Sequence, residues 1–423
     1  SALVTIVTLL IIGIIVITYQ QFGMEATMLA LFPVIILSFT AERVSTALEQ
    51  EPLNVLAKDL ASTALMAVAC YLVFDSILLQ GLLLVFPELL LAVLGLQIAV
   101  GRWTGIRVTE LIRFRRLFES LKRDMEASGE QGPLCMNTRN RELVQRLNPS
   151  KLIATANDKV VTKKLLVSAG VSVPRTLAIV HDIWDLQAVR QQLPHWFSFV
   201  VKPAQGAKGT GIVVISGRDG DNYLTASEEV MGLEELIAHM RTILSGEYSM
   251  SGERDEVLIE ALINSSSFYQ KFSPAGLCDI RVVLIKGEVI AAMLRVPTRK
   301  SGGKANLHRG GIGLPIDIET GVTGNGFRQN KTFEHHPDTG TEFAGQRIPN
   351  WQRVVELARA AHTTIPLGYI GVDIADDSAE GPVVLEINAR PGLEIQNVNG
   401  KGFAEEALRL AGLDSTLEPE TSL

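Results

Sequence analysis

Long apolar runs open the chain. Residues Ser1–Tyr19 carry no charge and are almost wholly apolar, long enough to cross a hydrocarbon core of about 30 Å. Similar runs recur at about Ala26–Thr40, Leu60–Leu79 and Leu82–Val100, with Asp75 and Glu88 near the ends of the last two. Runs of this kind in succession predict transmembrane helices rather than the buried helices of a globular core. No basic n-region or small-residue cleavage site marks the first run as a signal peptide. The chain starts at Ser1 without an initiator Met, so it reads as a processed chain or part of a longer one.

From about Pro133 the pattern changes to short apolar strands alternating with charged helical stretches. Asn157–Gly170 reads as a helix capped by Asn157 and ended by Gly170. Phe197–Pro203 and Gly211–Ser216 read as strands joined by a Gly-rich loop, and Val257–Leu262 as another. Asp279–Lys286 and Glu288–Leu294 form a predicted hairpin across Gly287. Trp351–Ile365 follows as a helix. Gly371–Ala375 and Val383–Asn388 are the last predicted strands, and Arg218–Glu256 reads as a polar, irregular insertion or lid.

Composition sharpens this picture. Hydrophobic residues make up 47% of 423 residues, and the mean hydropathy of +0.23 is high for a chain without membrane spans. A net charge of −7 argues against a general nucleic-acid binder. Cys70, Cys135 and Cys278 are far apart, which excludes a disulfide framework and a CxxC metal site. Arg102, Arg107, Arg113, Arg115, Arg116, Lys122 and Arg123 cluster after the fourth run. The positive-inside rule places this cluster, and everything after it, in the cytoplasm. Glu110–Met125 is basic and amphipathic, suited to the inner leaflet or to a solvated connecting helix.

Three places carry candidate chemistry. Lys202 ends a strand and leads into Gly206, Gly209 and Gly211. Such glycines let backbone N–H groups approach phosphate oxygens, and the lysine adds a point charge. Asp373, with Glu386 and Asn388 two apart on a strand face, offers the hard oxygen ligands that Mg²⁺ prefers. Asp279 and Arg281 lie on a predicted strand, and Asn306-Leu-His-Arg309-Gly-Gly forms a turn. Arginine suits phosphoryl charge because its fork donates two hydrogen bonds. His335, His336 and Asp338 read as exposed loop residues rather than a metal site, Cys278 as a small buried residue, and Glu42–Arg43 as a structural ion pair.

In this order the pieces resemble the ATP-grasp ligases, and most closely the RimK-type alpha-L-glutamate ligases. The matching residues are Asn157-Asp-Lys159, Lys202 with its Gly loop, Glu260, Asp279-Ile-Arg281, Asn306–Gly311, Asp373 and Glu386–Gly392. The Met136–Asn140 and Asn148–Leu152 motifs resemble a RimK-related homologue branch. The apolar part resembles the last helices of proteins with an inactive transglutaminase and seven membrane helices. The resemblance implies an α/β ATP-grasp fold preceded by an all-α transmembrane module. Its expected layout is a membrane module of about four helices over 1–101, a basic linker over 102–132, the ligase domain over 133–415 and a tail over 416–423.

The resemblance also implies roles. Lys159, Lys202, the Gly206–Gly209–Gly211 loop, Glu260, Asp279 and Asn306 would bind ATP. Asp373, Glu386 and Asn388 would hold Mg²⁺, or Mn²⁺ in its place. Arg281 and Arg309 would stabilise the transferring phosphoryl group. The implied enzyme is a carboxylate–amine ligase, glutamate-adding by analogy, tethered to the lipid bilayer of the inner membrane with its ligase domain in the cytoplasm. Its substrates would be amino-acid or peptide carboxylates and amines. Two alternatives stand beside it: a non-catalytic ATP-binding sensor acting on the membrane module, and a glutathione-synthetase-like ligase.

Overall fold

The computed structural model describes residues 53–102, 108–117, 132–206, 209–249, 252–273 and 276–413. The predicted spans Ser1–Tyr19 and Ala26–Thr40, the Glu42–Arg43 pair, Arg107, Lys122, Arg123 and the tail 416–423 lie outside the described residues. The chain divides into two compact units, Ser1–Arg102 and Trp103–Leu423.

In the first unit the described helices are Leu53–Asp75, Ile77–Val85 and Leu89–Arg102. The continuous helices expected over Leu60–Leu79 and Leu82–Val100 are both broken. Ser76 is extended, and its hydroxyl accepts the Leu79 N–H at the start of a new helix. Pro87, which has no N–H to donate, falls in the second break. Among the described residues no single helix is long and apolar enough to cross a membrane; Leu60–Asp75 and Ile77–Val85, bent by 59°, have the length and composition together. Their apolar side chains stand outward, Ile77 at 84% exposure and Leu84 at 83%. A contiguous apolar surface of this kind is costly in water.

The second unit is built on two antiparallel sheets. Strands β1 (Thr176–Val180), β2 (Phe199–Pro203), β3 (Val213–Asp219), β4 (Asn222–Thr225), β5 (Val230–Met231) and β6 (Val257–Ala261) form the first, in the order β1-β6-β2-β3-β4-β5. Helices Ile183–Gln192 and Leu233–Leu244 cover it. The second helix lies where the irregular insertion is expected. Leu236, Ile237, Met240, Ile243 and Leu244 are buried at helical spacing, so Arg218–Glu256 is largely ordered core.

Strands β7 (Asp279–Ile285), β8 (Glu288–Val296), β9 (Ile312–Ile316), β10 (Gly326–Arg328), β11 (Lys331–Phe333), β12 (Tyr369–Asp377) and β13 (Gly381–Asn388) form the second sheet, in the order β11-β10-β9-β8-β7-β12-β13. Its central strands are buried on both faces, which explains their nearly unbroken apolar runs. Ile280, Val282 and Leu284 face a core shared with the helix Trp351–Thr364, whose Val354, Leu357, Ala358 and Ala361 form its inner stripe. Val283, Ile285, Ala291 and Met293 face the opposite core.

That opposite core includes Phe114 and Leu117, both buried. Arg113 Nε donates to Glu394 at 3.0 Å, and the buried Glu110 carboxylate accepts the Met136 N–H. The stretch 108–117 is therefore packed into the second unit rather than laid on a leaflet or surrounded by water. His336 also departs from its expected exposure. It is buried, its Nδ1 accepts the Asp338 and Thr339 N–H groups, and its Nε2 lies 2.9 Å from the Pro297 carbonyl. This pattern requires a neutral ring with the proton on Nε2.

Candidate active site between the two sheets

Asp158, not Asn157, starts the helix that carries the first site residues. It separates the helices Ser150–Asn157 and Lys159–Ser168, and its carboxylate accepts the Val161 N–H at 2.9 Å. Lys159 and Lys163, one turn apart, share a face of the second helix. Lys159 Nζ donates to the Gly206 carbonyl at 2.5 Å and the Ala204 carbonyl at 3.3 Å, tying the helix to the Gly-rich loop. Lys163 and Lys202 both reach the carboxylate of Glu260, which is only 4% exposed. These residues and Glu386 line one pocket between the sheets.

Charge is concentrated in this pocket: Lys159, Lys163 and Lys202 line it with Glu260 and Glu386. Burial alone would raise the Glu260 carboxyl, but Lys202 and Lys163 outweigh it and hold the group below the usual carboxylate range. Burial pulls Lys163 down despite Glu260, and Lys202 adds repulsion. Lys159 is lowered by burial too, opposed first by the Glu386 charge. One carboxylate thus serves two ammonium groups, while the third, Lys159, faces Glu386, Asp255 and Asp158.

The loop beside the pocket depends on its glycines. A side chain at Gly206 would collide with Pro203, and one at Gly211 would meet the Tyr248 ring at 2.6 Å. Gly209 and Gly211 have positive φ, and at Gly209 the space is open. Asp255 accepts the Gln205 N–H at 3.1 Å and fixes the start of the loop.

The second cluster follows from strand register. Asp279 pairs with Arg295, and Arg281 pairs with Asp373, which pairs with Glu386. Asn388 is two residues beyond Glu386 on the same face. Arg281 donates to both Asp373 oxygens at 2.7 Å. Arg295 adds a contact at 2.8 Å and also binds Asp279, and the Asn388 amide nitrogen donates to Asp373 at 3.1 Å. Against the cost of burial, Arg281 and Arg295 hold Asp373 well below the usual range. Burial instead raises Asp279, which shares Arg295 and faces the Asp373 charge.

The turn at 306–311 is held separately. Asn306 accepts the His308 N–H at 2.9 Å, so its side chain caps the turn. Gly310 has φ +107°, and a Cβ at Gly311 would meet the Ala305 carbonyl oxygen at 2.6 Å. Among the described residues the Arg309 guanidinium has no hydrogen bond or ion pair, and it does not join the Arg281–Asp373 group.

Lys163 and Arg295 belong to the site although the sequence reading passes over them. Both leave a signal: Lys163 is one helical turn from Lys159, and Arg295 is the lone charge after Glu288 in an apolar strand. A wider concavity lies elsewhere, between helices Ile183–Gln192 and Leu233–Leu244, and it lacks such convergent charge.

Residues 138–411 match the family described as sugar-transfer associated ATP-grasp. The chain belongs to this ATP-grasp family. Residues 1–118 match a second description, seven transmembrane helices usually fused to an inactive transglutaminase. A probable alpha-L-glutamate ligase of Thioalkalivibrio sulfidiphilus (strain HL-EbGR7) is 30% identical over 262 residues, which are 61% of this chain and 64% of that protein. The chain thus spans less than two thirds of that relative. A ribosomal protein bS6–L-glutamate ligase of Escherichia coli O7:K1 is 28% identical over 276 residues, 64% of this chain and 69% of that one. A D-alanine–D-alanine ligase from Bacillus anthracis is similar at 17% identity over 62% of this ATP-grasp chain and 68% of that one, with a TM-score of 0.36.

Proposed function

We propose that the chain is a membrane-tethered, ATP-dependent carboxylate–amine ligase. One observation carries this reading: a pocket lined by three converging ammonium groups opens beside a strand face bearing Arg281, Asp373, Glu386 and Asn388. The first attracts polyphosphate, and the second offers guanidinium groups and hard oxygen donors to a transferring phosphoryl group.

The donor set fits Mg²⁺, with Mn²⁺ as the alternative. Asn388 turns its amide nitrogen toward Asp373, leaving its carbonyl oxygen available, and Glu386 is half-buried at the pocket wall. These two would hold the ion, joined by Asp373 as its contacts with Arg281 loosen. When bound, the ion supplies neutralisation of phosphate charge. Lys159, Lys163 and Lys202 would bind the phosphates under the Gly206–Gly211 loop. Arg309 would face the equatorial oxygens, with Arg281 released from Asp373 to assist it. In the first step a substrate carboxylate oxygen attacks the terminal phosphorus and the bond to ADP breaks, giving an acyl phosphate. An amine then attacks the acyl carbon, phosphate leaves and the ammonium proton passes to solvent. The ligands' electrostatic preorganisation lowers the barrier between two anions.

The apolar runs, the outward-facing side chains of 60–97 and the basic residues that follow support a multi-pass membrane location with the ligase in the cytoplasm. The test is ADP release by the full chain in detergent with Mg·ATP and a pool of amino acids and short acidic peptides, read alongside mass spectrometry. A product mass equal to acid plus amine minus water is expected. Glu386→Ala or Arg309→Ala should lower turnover at least about a hundredfold while the chain stays folded. Unchanged ADP release in both variants would remove this site assignment. Tight ATP binding without acceptor-dependent turnover would favour the sensor.

A further inference from the structure

The strand face that carries Asp373 continues toward a second positive centre outside the groups used above. Arg139 opens a π-helical turn, Arg139–Gln145, a geometry that often accompanies functional positions. Its Nη1 donates to the Pro391 carbonyl at 3.0 Å and lies 3.5 Å from the Arg390 carbonyl. Its Nε is buried without a hydrogen-bond partner, and among the described residues the guanidinium forms no ion pair. Burial lowers its proton affinity, Tyr369 opposes this, Arg390 and Arg113 add repulsion, and Glu110 offsets part of it. Of the nearby acids Glu394 binds Arg113, and Glu110 accepts the neutral Met136 N–H while its charge still reaches Arg139. Arg113, Arg139 and Arg390 thus share two carboxylates, Glu394 and Glu110, so one positive charge beside the unpartnered Arg139 Nε is left for an anion to match.

Its position relates it to the proposed reaction. The Arg390-Pro391 turn directly follows Glu386 and Asn388 on β13. Gly371 lets that turn lie against β12: a Cβ there would meet Pro391 Cβ at 2.7 Å and Asn388 Cβ at 3.6 Å. The Tyr369 hydroxyl, two residues before Gly371, feels the charges of both Arg139 and Arg281. Arg390 itself is exposed at the edge.

We propose that Arg139 and Arg390 form a subsite for a second negative group of the substrate, a carboxylate or phosphate distinct from the carboxylate being activated. The inference rests on the ligase reading and narrows its substrate to one with two acidic groups. Arg139 is fixed by the Pro391 carbonyl and supplies the permanent part of the subsite. Arg390, on the exposed side, closes it when the substrate arrives.

The experiment uses the full chain in detergent with Mg·ATP and three probes: L-glutamate, O-phosphoserine and L-glutamine. At least one of the two probes with a second acidic group, L-glutamate or O-phosphoserine, should drive ADP release with a KM about tenfold or more below that of glutamine, and the better of the two identifies the group held. Arg390→Gln, an exposed change that should not disturb folding, and Arg139→Gln should each remove that advantage. They should leave kcat, the KM for ATP and the KM for glutamine within about twofold. An equal effect on glutamate and glutamine, or none, overturns the subsite. If no probe turns over, thermal shift decides the matter separately from the ligase reading. Stabilisation by L-glutamate or inorganic phosphate, but not by glutamine, that disappears in Arg390→Gln supports the subsite; its absence overturns it.

Discussion

Glu260 concentrates the electrostatic logic of the pocket between the sheets in one side chain. It serves Lys163 and Lys202 while nearly inaccessible to solvent. Glu260→Gln leaves two enclosed ammonium groups without a full counter-charge, and a loss of about 3–5 kcal/mol is expected, measurable by denaturant unfolding. The sign of the acid dependence follows from its depressed proton affinity. Below about pH 4 the unfolded chain binds a proton that folded Glu260 does not, so stability falls as pH drops. The thermal midpoint of the wild type should decline below that pH, and Glu260→Gln should show a shallower decline. Asp373 contributes in the same direction, because Arg281 and Arg295 hold it ionised. Asp279 acts in the opposite sense, since burial raises it. Asp373→Asn should therefore also flatten the acid limb.

Secondary elements differ in how plainly the sequence declares them. The β7–β8 hairpin is readable because two apolar runs flank Lys286–Gly287, both with positive φ. The strand-face spacing of Glu386 and Asn388 is readable too, since a period of two requires no knowledge of neighbours. The partner across the sheet is not: Arg295 meets Asp279 and Asp373 only through the register of β8, β7 and β12. The helix Leu233–Leu244 is masked by the polar residues around it, although its buried positions follow a helical stripe. Asp158 rather than Asn157 as the cap is a local geometric choice between two adjacent good capping residues. At this scale Gly371 offers a further test. Gly371→Ala should cost about 1–3 kcal/mol by overpacking against Pro391. It should also raise the KM for the acidic substrate more than that for ATP, as read from steady-state ADP release.

Across the whole molecule, the ATP-grasp fold starts earlier than its motifs suggest. The ATP-grasp family match begins at residue 138, yet Phe114 and Leu117 are core residues and Glu110 holds the Met136 backbone. A chain beginning at 133 uncovers Leu134 and Leu143 and forfeits about 1.5–3 kcal/mol for each large apolar side chain removed from that core. A chain beginning at 108 should restore the thermal midpoint lost by the shorter one. Packing of this kind is not visible in sequence. The basic and apolar alternation of 108–117 suits a membrane surface and a protein core equally well.

The pairing of β7 with β12 has a consequence for the order of synthesis. Asp279, Arg281 and Arg295 leave the ribosome together on one hairpin, whereas Asp373, which accepts both guanidinium groups, comes only with the later β12–β13 hairpin. A nascent chain halted between these hairpins therefore carries two arginines with one carboxylate to share. Its strand edge is also bare where β12 will dock. The growing chain passes through a stage that is cationic and unpaired along one seam, and a single later pairing step closes the edge and matches the charge together.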